Sequence, residues 1–279
     1  MGPKRRMADG GNQVLTVAIG GFGAVGRQVG RRLDEGVPGL RLTAVSARDK
    51  ERAASAMAEY AQPVPVVELA ELAAADVVVE CAPATVLTRI AEPALEAGRI
   101  VVVISAGALL ANEDLFELAA SHGGRIIVPS GALLGLDAVS AAAEGTIESV
   151  RMETRKPIAG LLGAPFVEER GIDLENLQEP LLLFEGSARE AAAGFPANLN
   201  VAVALSFAGI GPDRTMVQIW ADPGVTRNTH SIEVISDSAN FSMKIENLPS
   251  EENPRTGTIT ALSVIAALRR LTGPVRFGT

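Results

Sequence analysis

Cysteine and histidine are nearly absent from this 279-residue chain, which holds one of the first and two of the second. A lone Cys81 forms no intramolecular disulfide and fits a reducing, cytoplasmic setting. No Cys/His cluster has metal-ligand spacing, so no metal is expected, and no Gly-x-Ser-x-Gly elbow points to a hydrolase. Excess positive charge is missing as well. The net charge is −8, which argues against nucleic acid and anionic membranes as partners. No run of about eighteen apolar residues is free of charges and breakers, so no membrane span is expected. The one basic cluster, Lys4-Arg5-Arg6, lies in a polar leader (residues 1–13) expected to be disordered. Met7 is a candidate natural start, and no apolar stretch follows to make a signal peptide. No internal repeat is visible.

What is present is apolar and alternating. Hydrophobic residues make up 47% of the chain, enough to build a sizeable core and two domains. Strand patterns at 14–20, 40–47, 64–67, 76–81, 99–105 and 125–129 alternate with helical patterns at 28–33, 49–59, 69–74, 86–97 and 112–121. That alternation predicts a Rossmann-type, doubly wound parallel sheet over residues 14–134. Beyond it, strands at 147–154, 215–221, 230–235 and 241–245 and a helix at 198–208 predict a second α+β domain over 135–249. Its sheet is expected to be open and mainly antiparallel, and the charged stretch 166–180 reads as a loop or lid. A final helix within 250–279 is expected to return to the first domain. The apolar alternation around Trp220 and Phe241 predicts a face that a second subunit covers, hence a homodimer or higher homo-oligomer.

The first strand runs into Gly21-Phe22-Gly23-Ala24-Val25-Gly26. In such a turn Gly21 permits the sharp bend, Gly23 lets a pyrophosphate approach the backbone, and Gly26 lets the helix pack on the strand. The N–H groups of the helix that follows would hold the phosphates. Bare Gly-x-Gly-x-x-Gly is a weak signal; between a strand and a helix it is a dinucleotide-binding candidate. An NAD-specific fold places an acid about twenty residues beyond the glycines, on the ribose 2′-OH. Here that corner reads Val45-Ser46-Ala47-Arg48-Asp49. Ser46 and Arg48 suit a 2′-phosphate, favouring NADP or dual use over NAD alone. The alternative makes Arg48 a solvated residue at a helix start and Asp49 its N-cap.

His122 precedes Gly123-Gly124, where a cation suits a helix C-terminus. His230 opens an alternating strand, where a partly buried strand histidine competes with a functional one. Cys81, followed by Ala82, ends a parallel strand at the crevice where such sheets bind ligands; a small lining residue competes there with a nucleophile. Ser130-Gly131-Ala132 is either a plain turn or a nicotinamide contact. Lys156 ends a strand and is a candidate carboxylate ligand, though a lone lysine is usually solvated.

Together with the glycine turn, Ser105-Ala106-Gly107-Ala108-Leu109, Pro129-Ser130-Gly131-Ala132 and Thr154-Arg155-Lys156-Pro157 resemble the L-aspartate dehydrogenase family. The same holds for Phe195-Pro196-Ala197-Asn198-Leu199-Asn200, Asn228-Thr229-His230, Ile245-Glu246-Asn247-Leu248-Pro249-Ser250 and Asn253-Pro254-Arg255-Thr256. The glycine turn is shared by many dehydrogenases; the later motifs in this order are more specific. One departure is Ile158, where the family pattern has a second proline. The resemblance implies NAD(P)-dependent interconversion of L-aspartate with iminoaspartate, then oxaloacetate and ammonia, and a possible supply of the imine to NAD biosynthesis. It implies that His230 is the active-site residue and that Ala132 and Asn200 contact the cofactor. Lys156 and Thr229 are the candidates for the substrate carboxylates. The same two-domain plan would serve a homoserine-dehydrogenase-like or dihydrodipicolinate-reductase-like enzyme, or a non-catalytic dinucleotide sensor.

Overall fold

Residues 14–195, 199–250 and 257–278 are described by a computed structural model. The leader, the centre of the Phe195–Asn200 motif and the Asn253–Thr256 motif lie outside the described residues.

β-Branched runs form the first sheet. Strands β1 (Leu15–Gly20), β2 (Leu40–Ser46), β3 (Val77–Glu80), β4 (Ile100–Val103) and β5 (Arg125–Ile127) pair in the order β2-β1-β3-β4-β5, all parallel. Every residue of β3 and β4 is buried, as in a sheet covered on both faces. Helices α1 (Ala24–Asp34), α2 (Lys50–Met57), α3 (Leu87–Glu96), α4 (Ala106–Leu109) and α5 (Asp114–His122) connect the strands. The strand expected at 64–67 reduces to one isolated bridge, Val45 with Val66. Pro63 and Pro65 interrupt that segment and have no N–H to continue a ladder.

The second sheet holds β6 (Ile147–Lys156), β7 (Leu181–Ser187), β8 (Thr215–Ala221), β9 (Thr229–Ser236) and β10 (Asn240–Glu246) in the order β10-β9-β6-β8-β7. Only β6 and β8 run parallel. Helices α6 (Leu136–Ala143), α7 (Pro165–Glu169), α8 (Ala188–Gly194) and α9 (Asn200–Ala208) accompany it, and α10 (Ile259–Thr272) follows. Ala261, Val264, Ile265 and Leu268 of α10 share a core with Val17, Val29 and Leu33 of the first sheet and its helix.

The stretch 166–180 begins within α7 and continues as turn and loop, anchored by buried Val167 and Leu174 and by the Phe166 ring 5.0 Å from Phe195. The outer face of the second sheet is mixed rather than continuously apolar, with Met216 exposed on it. Alternation turns Ile219, Ile232 and Val234 inward, where they are buried. The positions between them carry Gln218, Ser231 and Glu233, while Trp220 lies beneath the Arg155 guanidinium, 4.8 Å from its ring centre.

The glycine turn separates two kinds of constraint. Gly21 sits at φ +93°, and a Cβ at Gly26 would stand 2.1 Å from the Gly21 carbonyl oxygen. A Cβ at Gly23 meets nothing within 4 Å. Gly26→Ala should therefore lose about 2–3 kcal/mol of stability by overpacking, whereas Gly23→Ala, a change at an N-cap, should lose less than about 1 kcal/mol. Urea denaturation of the two variants checks this, and equal losses would contradict it.

Candidate active site

The strands of the first sheet all end on one side, and the order reverses between β1 and β3, which opens a crevice there. A cavity of about 460 Å³ occupies it, walled by the loops after β1, β3, β4 and β5 and closed by residues of the second sheet and α9. Gly23, Ala24, Val25, Cys81, Ala82, Ala132, Lys156, Asn200 and His230 all line it, so most of the candidates from the sequence meet in one place.

The cofactor wall fits a dinucleotide. Gly23 is the N-cap of α1, no side chain caps that end, and the first turn carries no acid. The N–H groups and the positive end of the helix thus face the open space over Gly23. The neighbouring loops are tied by Glu80, which is fully buried at the end of β3. Its carboxylate accepts from the N–H groups of Ala82 (3.0 Å), Ile104 (3.2 Å) and Ser105 (3.0 Å), and from the Ser105 hydroxyl at 3.0 Å. Burial raises its pKa, while those donated bonds act the other way. Burial, with the Glu80 charge second, also holds the Cys81 thiol well above its ordinary value, so Cys81 is a neutral lining residue and not a nucleophile. Asn200, at the start of α9, accepts from the Gly107 N–H at 2.9 Å and so links the two halves across the cavity.

On the opposite wall, β6 and β9 present Thr154, Lys156 and His230 from one face, all at most 3% exposed. Thr154 Oγ1 lies 2.8 Å from His230 Nδ1. Burial, then the Lys156 charge, push His230 down from 6.5 to about 3, so its ring is neutral at neutral pH. Burial alone pushes Lys156 from 10.5 to about 8. Among the described residues the cavity lining contains no aspartate or glutamate. The wall thus sets a buried lysine beside a neutral imidazole.

Several candidates lie elsewhere. Thr229 is buried on the face of β9 opposite His230, because successive side chains alternate, so it does not reach the cavity. Phe22 packs into the core, its ring 6.1 Å from Tyr60. Gly21 shapes the turn and donates its N–H to the Ser46 carbonyl at 2.8 Å. Ser46 is itself buried, Arg48 is exposed, and neither lines the cavity. Asp49 caps α2 by accepting from the Arg52 N–H at 2.9 Å. His122 ends α5, as its position suggested, with Nδ1 3.2 Å from the Leu118 carbonyl oxygen.

Comparison with known proteins places this arrangement. Residues 137–271 match the family model described as aspartate dehydrogenase, C-terminal, and residues 21–129 match that of the homoserine dehydrogenase NAD binding domain. A protein named L-aspartate dehydrogenase 3 from Bordetella bronchiseptica is 60% identical over 95% of this chain and 98% of its own length. An L-aspartate dehydrogenase from Bradyrhizobium diazoefficiens is 59% identical over 95% of this chain and 94% of its own. The chain belongs to the L-aspartate dehydrogenase family. The crystal structure of aspartate dehydrogenase from Thermotoga maritima superposes with a TM-score of 0.73 at 27% identity, covering 95% of this chain and 99% of that one. A scyllo-inositol dehydrogenase from Lactobacillus casei shares the fold at a TM-score of 0.52 and 14% identity. The homoserine-dehydrogenase-like alternative thus keeps a counterpart in the nucleotide-binding half, while the second half belongs to the aspartate dehydrogenase family.

Two residues to which the sequence assigned no role gain one in the structure. Thr154 shares a strand face with Lys156 by simple alternation, but its contact with His230 depends on the β6–β9 register. Glu80 is an acid closing an otherwise apolar run, a visible signal that a strand reading passes over.

The histidine's burial has a measurable consequence. Between pH 6.5 and about 3 the unfolded chain holds a proton that folded His230 does not, so folding stability falls as pH drops through that window. A full proton difference is worth about 1.4 kcal/mol per pH unit. His230→Gln should therefore lose roughly 1–2 kcal/mol less than the parent chain between pH 6.5 and 5, read from urea midpoints. Parallel pH profiles for the two proteins would show that His230 titrates as an exposed imidazole.

Proposed function

We propose that this protein catalyses the NAD(P)-dependent oxidative deamination of L-aspartate to iminoaspartate, which water converts to oxaloacetate and ammonia, together with the reverse reductive amination. The observation that carries this reading is the pairing of a desolvated, neutral His230 with a buried Lys156 on one sheet face, opposite a phosphate-ready glycine turn. The names of its relatives at 60% and 59% identity support the choice of substrate.

The chemistry follows from charge. The α-ammonium of an amino acid must lose a proton before its carbon can give up a hydride, and a neutral imidazole accepts that proton. A His230 ring donating from Nδ1 to Thr154 keeps Nε2 as the bare acceptor. Lys156 binds a substrate carboxylate, and the arriving negative charge raises the basicity of His230 from its depressed starting value. A nicotinamide dinucleotide held by Gly23, Ala82, Ala132 and Asn200 would supply the hydride acceptor. Enclosure by α9 and the second sheet excludes water and holds the reacting carbons near each other. Arg48, exposed at the end of β2, favours NADP or dual use by meeting a 2′-phosphate. Residues 14–134 with α10 form the nucleotide domain of this reading, and 135–249 the substrate domain. A homo-oligomer remains part of it on narrower ground: the open face of the second sheet offers Arg151 and Glu233, opposite each other in register, to a second copy.

His230→Ala should reduce kcat by about 10²–10⁴-fold while leaving reduced-cofactor binding nearly intact. Retention of more than about a third of the parent kcat would remove His230 from the base role. Arg48→Ala should weaken NADP on the order of tenfold and leave NAD unchanged. Steady-state assays with L-aspartate and each cofactor read both, and strict NAD use by the parent chain would overturn the cofactor assignment.

A further inference from the structure

Asn247 follows β10, lines the cavity and is 5% exposed. Its Nδ2 donates to the Ala132 carbonyl oxygen at 2.9 Å. A carbonyl oxygen only accepts, so this bond fixes the amide: the NH₂ faces Ala132 and Oδ1 faces away from it. That oxygen is buried and has no hydrogen-bond partner among the described residues. Buried acceptors are rarely left in this state, because the lost hydration goes unrepaid until a donor arrives.

The surroundings indicate which donor. The Asn247 N–H donates to the Asn228 carbonyl at 2.8 Å, which extends the β9–β10 register past Ile245, the partner of His230. Asn247 therefore stands at the same end of the sheet as His230 and touches the Ala132 loop on the cofactor side. An amine entering the cavity brings N–H donors, and among the described residues the lining offers no carboxylate to receive them. Beside Oδ1 lies Gly257, also in the lining, where a Cβ would stand 3.3 Å from that oxygen. A side chain at this position would crowd Oδ1, so the glycine keeps that flank of the amide clear.

We propose that Asn247 Oδ1 is a binding acceptor for a ligand N–H, supplied either by the amino group of the substrate (ammonia in the reverse direction) or by the carboxamide of the nicotinamide. The assignment rests on the dehydrogenase reading above. Asn247 then joins the cofactor wall to the substrate wall through one side chain, its nitrogen holding the Ala132 loop and its oxygen holding the ligand.

Two variants of the full chain, Asn247→Ala and Gly257→Ala, test this. The first removes the acceptor and the Ala132 link together, whereas the second crowds Oδ1 and keeps the link. Each is measured for thermal midpoint, for the Kd of the reduced cofactor by fluorescence, and for the KM of ammonia at saturating oxaloacetate. A rise on the order of tenfold in ammonia KM for both variants, with cofactor Kd unmoved, assigns the donor to the amine. The same rise in cofactor Kd for both assigns it to the carboxamide. Values within about twofold of the parent for both constants overturn the proposal. An effect of Asn247→Ala with Gly257→Ala silent also overturns it, by assigning the effect to the Ala132 link. Should Asn247→Ala fail to fold, Gly257→Ala carries the test alone. A parent chain that binds reduced cofactor but does not turn over aspartate or oxaloacetate refutes the dehydrogenase reading, and the cofactor Kd then decides Asn247 by itself.

Discussion

Desolvation of His230 and Lys156 is the constraint on which the site depends. Both side chains leave water on the inner face of the second sheet, where their neighbours Met152, Val150 and Ile232 are core residues. Such burial is tolerated because each group gives up charge more easily there, the lysine at about 8 and the histidine at about 3. In the proposed reaction a dicarboxylate would place negative charge beside both groups, and that charge would raise the proton affinity of His230.

The first sheet makes that pair useful by holding a second surface across from it. Parallel strands deliver four loops to one crevice, and the buried Glu80 carboxylate ties two of them by collecting three backbone N–H groups and one hydroxyl. A buried charge satisfied by four donors fixes loop geometry more tightly than apolar packing, since any displacement leaves the carboxylate underbonded. Asn200 and Asn247 then bridge the crevice from the second half, to Gly107 and Ala132 respectively. The relative position of base and cofactor wall is thus set by side-chain hydrogen bonds between segments far apart in sequence.

Periodicity made the architecture legible. The all-valine core of β3, the glycine turn and the alternation of β8, β9 and β10 each declare their structure locally, and the strand boundaries at Thr215–Ala221 agree to the residue. Prolines 63 and 65 were equally visible, yet the valines at 64, 66 and 67 dominated the pattern. The run Leu181–Phe184 went unrecognised as a strand because the charged segment before it read as a loop, although Val167 and Leu174 anchor that segment in the core. Of the site, the residues on the crevice loops followed from the motif and the sheet rule. Thr229 failed because strand alternation excludes it once His230 faces inward. Asn247 and Thr154 depend on inter-strand register, which local pattern does not encode.

The central claim is that His230 is a neutral, desolvated base whose proton affinity is set by the charge of the ligand beside it. Because the chain has only two histidines, a nuclear magnetic resonance titration of the imidazole protons, with His122→Ala used for assignment, reads it directly. In the ligand-free protein the His230 resonances should not titrate between pH 8 and about 5, and saturating a non-reacting dicarboxylate such as succinate should bring a titration into that range. A His230 signal that titrates near the ordinary value of 6.5 without ligand and does not move with it would contradict the account.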